Sequence, residues 1–168
     1  MEYILQINKD VLDRFKVYHG EKLLMIGKKS GNKSSFFDGF INASYGKGAD
    51  FLLNYGDQEI RIERTFFENL KKYDIWYQNS KGSITSEEKN GGYSLKIDFN
   101  GDVMQKIVHP GDRSLHVDQM GRILTKRQGF KVYRQMILEM EDSSYLVEMV
   151  VLAIFIWDVY MKKKRAFV

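Results

Sequence analysis

The sequence predicts a mainly β protein: a mostly antiparallel β sandwich or barrel plugged by a buried, hydrophobic C-terminal helix. Three observations carry that expectation. Short segments alternating apolar and polar residues recur along most of the chain, separated by turn-forming residues. Fourteen glycines and a single proline, Pro110, suit many tight turns. Near the end, nine consecutive apolar residues from Met149 to Trp157 leave no polar face at all.

Taken in chain order, the first strand signal is Phe15 and Val17 alternating with Arg14, Lys16 and Tyr18, before a turn at His19-Gly20. Ser34 to Ala49 is irregular, rich in Gly, Ser, Asn and aromatics, and long for a hairpin loop. Within it, Phe36, Phe37 and Phe40 are read as anchors that tie the segment to the fold. A turn around Asn54 to Asp57 leads into Ile60 and Ile62, which alternate with Glu59, Arg61 and Glu63. Ile75 and Tyr77 run into Asn79-Ser80-Lys81-Gly82, read as the next turn.

The clearest strand is Gly92 to Phe99. Tyr93, Leu95, Ile97 and Phe99 fall on one face, and Ser94, Lys96 and Asp98 on the other. Asn100-Gly101 follows, the strongest short hairpin signal, because both residues tolerate positive φ. Val103 to Val108 returns as its partner. Leu115 and Val117 then meet a turn at Asp118 to Gly121, Ile123 to Thr125 come back, and Phe130 to Met140 is a further extended run. Strands at this spacing favour a sandwich or barrel over alternating βαβ units.

The last segment reads as a helix at about 144–161, capped by Ser143 or Ser144. A helix apolar all round is buried in protein or in a bilayer. A membrane span needs roughly 20 apolar residues, and Glu148 and Asp158 bracket this shorter run. The core of the protein is therefore the expected environment. At ~1.5 Å per residue the helix is about 25 Å long, the rise of a seven- or eight-residue strand, so it fits a barrel from rim to rim. Residues 1–161 are expected to form one domain, with 162–168 as a basic tail.

Charge excludes less than it first suggests. The formal net charge is +4, and Lys162, Lys163, Lys164 and Arg165 account for all of it. Without them, basic and acidic residues number 22 each. A nucleic-acid partner is therefore disfavoured, because phosphate neutralisation calls for a basic stripe over the folded surface. There are no cysteines, which excludes disulfides, thiolate catalysis and cysteine-ligated metals. The N-terminal ten residues lack the pattern of a signal peptide, so a cytoplasmic location is expected, with the membrane surface as an alternative.

Many short hairpins followed by one wholly apolar C-terminal helix resembles the tubby C-terminal-like superfamily, which includes tubby proteins, LURP-one-related proteins and phospholipid scramblases. Leu152-Ala153-Ile154-Phe155-Ile156-Trp157-Asp158 looks like the apolar helix ending in aspartate of the LURP-one-related branch. Val117 to Ile123 has turn chemistry common there. The resemblance implies a closed barrel of about twelve strands around a central helix. Tubby proteins bind phosphoinositide headgroups through basic surface residues, but no residue-by-residue match to that site exists here. Nor does the chain carry a carboxylate-rich calcium loop or the Cys- and Pro-rich segments of scramblases.

Candidate chemistry is sparse. His109 and His116 lie near Asp112 and Asp118, but the spacing matches no zinc motif, and no metal or cofactor is expected. No phosphate loop, nucleophile elbow or Cys/His pair occurs. Lys28, Lys29 and Lys33 flank Ser30-Gly31-Asn32, a turn that would set backbone N–H groups beside three ammonium groups. They are the candidate site for an anionic group; Lys71-Lys72 and Lys126-Arg127 are smaller pairs. The leading expectation is a non-catalytic binding or scaffold module. A peripheral membrane protein recognising anionic lipid, or a module for an acidic protein, is the alternative. An enzyme whose site assembles only in three dimensions comes third.

Overall fold

The structure is a computed structural model that describes residues 1–8, 15–30, 50–109, 112–126 and 133–161. Its contacts divide the chain into two compact units, Met1–Ile26 with Pro110–Val168, and Gly27–His109. The first holds β1 (Glu2–Asn8), β2 (Phe15–His19), β10 (Ser114–Val117), β11 (Gly121–Lys126), β12 (Tyr133–Glu139) and helix α1 (Leu146–Ile156). The second holds β4 (Asp50–Tyr55), β5 (Gln58–Phe66), β6 (Leu70–Tyr77), β7 (Ser80–Lys89), β8 (Gly92–Phe99) and β9 (Asp102–Val108). β3 (Lys22–Ser30) runs across the boundary. The strand order is β10-β11-β12-β1-β2-β3-β4-β5-β6-β7-β8-β9. The expected class, about twelve antiparallel strands followed by one buried apolar helix, is the one found.

The second unit is a meander in which each strand from β4 to β9 pairs antiparallel with the next. Period-2 alternation puts one set of side chains inside. Phe51, Leu53, Ile60, Ile62, Tyr73, Ile75, Ile84, Leu95 and Ile97 are fully buried. Burying each such side chain is worth about 1.5–3 kcal/mol, so this face supplies most of the unit's stabilisation. On β8, Leu95, Ile97 and Phe99 are buried and Tyr93 is half-buried, so the predicted set does face inward together.

The turns follow from backbone chemistry. Asn100 and Gly101 have φ of 55° and 88°, the double positive φ of a type I′ hairpin, and Asp98 Oδ1 accepts from Gly101 N at 3.2 Å. Asn90-Gly91 repeats the pattern, with φ of 49° and 78°. Ser80 to Gly82, read from the sequence as turn residues, instead begin β7. The turn before them is Gln78-Asn79, with φ of 47° and 60°. Gly82 belongs in that strand because the ring of Phe99 lies over it; a Cβ there would sit 2.6 Å from Phe99 Cδ1.

In the first unit β1 pairs with β12 over its whole length, from Glu2 against Glu139 to Asn8 against Tyr133. The N-terminal ammonium of Met1 donates to the Met140 carbonyl at 2.8 Å, and Met140 N donates back to Met1 O at 2.9 Å. β11 lies on the other side of β12, and Arg122 reaches across to Glu139 Oε2 through Nε at 2.9 Å and through Nη2 at 2.5 Å. At Gly121 (φ 140°) any Cβ would overlap the Glu139 carbonyl, so this register demands glycine.

The helix begins with a 3₁₀ turn at Ser143–Tyr145 and ends in a π-helical turn at Trp157–Met161. Its cap is Asp142 rather than Ser143 or Ser144: Asp142 Oδ1 accepts from Ser144 N at 2.9 Å. That hydrogen bond holds the Asp142 carboxyl below its ordinary pKa. Every residue of α1 is buried, as are Trp157, Asp158 and Val159. α1 packs on β11 and β12, and Trp157 meets Phe15 edge-on with ring centroids 5.8 Å apart. Ser143–Tyr160 is long and apolar enough to cross a membrane, yet 78% of it is buried inside the protein. The basic tail at 162–168 and the aromatics Phe36, Phe37 and Phe40 lie outside the described residues.

Candidate functional site

The lysines singled out from the sequence do not form a described cluster. Lys28 is exposed on β3, Lys29 is the next residue of the same strand, and Lys33 lies outside the described residues. Ser30, expected in a turn, is the last residue of β3. His116 Nε2 is 4.0 Å from Asp118 Oδ1, with both side chains exposed. Among the described residues, no three His, Cys, Asp or Glu side chains come together as a metal site would require.

The Lys71-Lys72 pair is engaged in the fold. Lys71 Nζ donates to the Phe67 carbonyl at 2.5 Å and lies 5.2 Å from the Phe66 ring. The other side of the cluster is Arg64, whose guanidinium is 4.8 Å from the Phe66 ring and 5.8 Å from the Phe51 ring. Phe66 also stacks on Tyr73, with an interplanar angle of 9°. Such cation–π contacts contribute roughly 0.5–2 kcal/mol each, and they brace the β5–β6 loop that Phe67 N closes by donating to Leu70 O. Lys72 pairs with Asp74 at 3.3 Å.

A different region has the make-up of a site. On the outer face of the second unit, beside the β6–β7 hairpin, an open groove of about 430 Å³ is bounded by Glu59 and Arg61 of β5, the end of β6 and the start of β7. Ile75 and Tyr77 point inward, so the pleat sends Trp76 outward between them, where it is half-buried. Arg61 is directly across from Trp76 on β5, and Lys81 directly across on β7. Trp76 thus stands in a row between two cations, with Lys81 Nζ 5.2 Å from its ring. Arg61 is further held by Glu63 Oε1 at 2.9 Å.

The hairpin closes one end of the groove with Gln78, Asn79 and Ser80. Both turn residues have positive φ, a region that non-glycine residues enter at about 1–2 kcal/mol each, with asparagine better tolerated than glutamine. Trp76 and Gln78 were not named by the sequence analysis, and Asn79 was read only as a turn residue. The signal was present: two inward residues flanking a tryptophan place an aromatic ring on a solvent face. The residues lining the groove comprise one carboxylate (Glu59), two cations (Arg61 and Lys81), two aromatics (Trp76 and Tyr77), two amides (Gln78 and Asn79) and one hydroxyl (Ser80). No family model, curated protein or solved structure matches this chain.

Proposed function

We propose that this protein is a non-catalytic binding module whose ligand occupies the groove on the outer face of the second unit. The observation that carries this reading is the row Arg61–Trp76–Lys81, set in cross-strand register on three adjacent strands and closed at one end by the β6–β7 turn. Sites built on strands keep their geometry without ordering on binding, which lowers the entropy lost when a ligand docks. Twelve strands followed by a single buried apolar helix also support kinship with the tubby C-terminal-like superfamily as part of this proposal.

Amide chemical-shift mapping with a mixed small-molecule fragment library tests the site. Shifts clustered at residues 59–61 and 76–81, and lost in Trp76→Ala, are expected. Shifts elsewhere, or none, would remove the groove as the binding site.

One observation favours a second reading, contact with an anionic membrane. Ile26 is 46% exposed two residues before exposed Lys28 on β3, an apolar and a basic side chain on one strand face. Each lysine near such a surface contributes about 1 kcal/mol. Flotation with vesicles containing phosphatidylserine should then weaken with salt and vanish when Lys28, Lys29 and Lys33 are all changed to Glu. Failure to float even at low salt contradicts this reading.

A further inference from the structure

The hairpin that closes the groove departs from its neighbours in a way that points to the ligand. Among its described residues the second unit has three two-residue turns with positive φ at both positions: Gln78-Asn79, Asn90-Gly91 and Asn100-Gly101. Two of them use Asn-Gly, the pair that enters this conformation with least strain. The third uses Gln-Asn, and only this one borders the groove. A Gln-Asn pair accepts backbone strain, and what it gains over Asn-Gly is a longer amide at the first position and an additional amide at the second. Strain retained at one of three equivalent turns argues that those side chains are used.

What they suit follows from the inventory of groups. Glu59 can only accept hydrogen bonds; Arg61 and Lys81 can only donate; Gln78 and Asn79 do both. Two cations, Arg61 and Lys81, stand against two carboxylates, Glu59 and Glu63, with Glu63 held on Arg61. The groove therefore exerts little net pull on an anion, in contrast to a phosphate site. A ligand that matches this set is neutral, carries several hydroxyls that each donate and accept, and presents a flat C–H surface to an indole ring. Resting on the binding reading above, we infer that the groove binds a neutral pyranose sugar, with Trp76 as its wall and Gln78 and Asn79 as the groups that select among hydroxyl arrangements.

The test uses the full chain and the indole N–H signals of its two tryptophans, assigned through Trp76→Phe. Glucose, galactose, N-acetylglucosamine and lactose form the neutral arm; glucuronate and AMP form the charged arm. The inference expects at least one neutral sugar to shift the Trp76 signal saturably, with affinity of millimolar order. Trp76→Ala, which lacks the indole reporter and is read instead by the backbone amide shifts of residues 78–81, should weaken it by about tenfold or more. The double variant Gln78→Asn, Asn79→Gly, which keeps the turn geometry, should also weaken it about tenfold while raising the melting temperature. If glucuronate or AMP binds and no neutral sugar does, the sugar inference is overturned and the groove stands as a site. If neither arm shifts Trp76, both fail. Undiminished sugar binding by the double variant also overturns the inference, because the turn side chains would then have no part in it.

Discussion

Two hairpins stand at the same end of the second unit, β6–β7 and β8–β9. They share a two-residue turn with positive φ throughout, and Asn100 Nδ2 approaches Tyr77 Oη to 3.5 Å between them. One is closed by Asn100-Gly101 and the other by Gln78-Asn79. In the first, the residues are those the backbone geometry favours, and the Asp98 carboxylate adds a hydrogen bond to Gly101 N. In the second, the same geometry is kept with less suitable residues, and the amides border a groove with Trp76, Arg61 and Lys81. Equal backbones with unequal residues separate what folding requires from what a surface can be used for.

Predictions that probe this difference run from large to small. The upper limit is set by the fully buried apolar positions of the core. Ile154 is fully buried in α1, and Ile154→Asp would place an unpaired charge in an apolar interior. That variant should lack dispersed amide signals altogether; a folded spectrum would contradict the packing described for the helix.

Gly101→Val comes next. A β-branched residue at φ 88° is a conformational outlier, so the variant should lose about 2 kcal/mol or more in urea denaturation. For a protein of this size that lowers the melting temperature by roughly 4–8 °C. A loss no greater than that of an exposed surface substitution would mean that Asn100-Gly101 is not the constrained turn, and the contrast with Gln78-Asn79 would collapse.

The smallest effect is at the helix cap and depends on pH. The Asp142 pKa is depressed in the folded state by the hydrogen bond from Ser144 N. Its stabilisation is therefore present above the unfolded pKa, near 3.8, and is lost as pH falls through the lower folded value. Asp142→Asn keeps a cap that does not titrate, so its stability should fall less steeply than the parent's below about pH 4. Parallel acid-denaturation profiles would show that the cap contributes nothing titratable.

The sequence announced these regions to different degrees. Asn100-Gly101 and the alternation from Tyr93 to Phe99 were legible because both signals are local: turn chemistry and a period of two. The apolar run from Met149 to Trp157 was legible because a helix with no polar face has few environments. β7 was obscured because its first residues are Ser80, Lys81 and Gly82, turn formers by composition. Gly82 is a strand residue only because Phe99, seventeen positions later, covers it. The pairing of β1 with β12 joins opposite ends of the described chain, and nothing local in either strand encodes it. Asp142 takes the cap from Ser143 and Ser144 because the 3₁₀ turn starts one residue earlier than the apolar pattern suggests. The groove went unread for a related reason. Its members come from three strands, and Gln78-Asn79 lacks the glycine that marks the other two type I′ turns.

The claim that Gln78-Asn79 gives up stability for side chains is tested most directly by urea denaturation of the Gln78→Asn, Asn79→Gly double variant beside the parent protein. The account predicts that the variant is more stable by about 1 kcal/mol, with an unchanged m-value, because an Asn-Gly pair enters the same turn with less strain. A variant equal to or less stable than the parent would show that Gln78 and Asn79 are already the favoured residues at this turn, and the case for their use in binding would lose its physical basis.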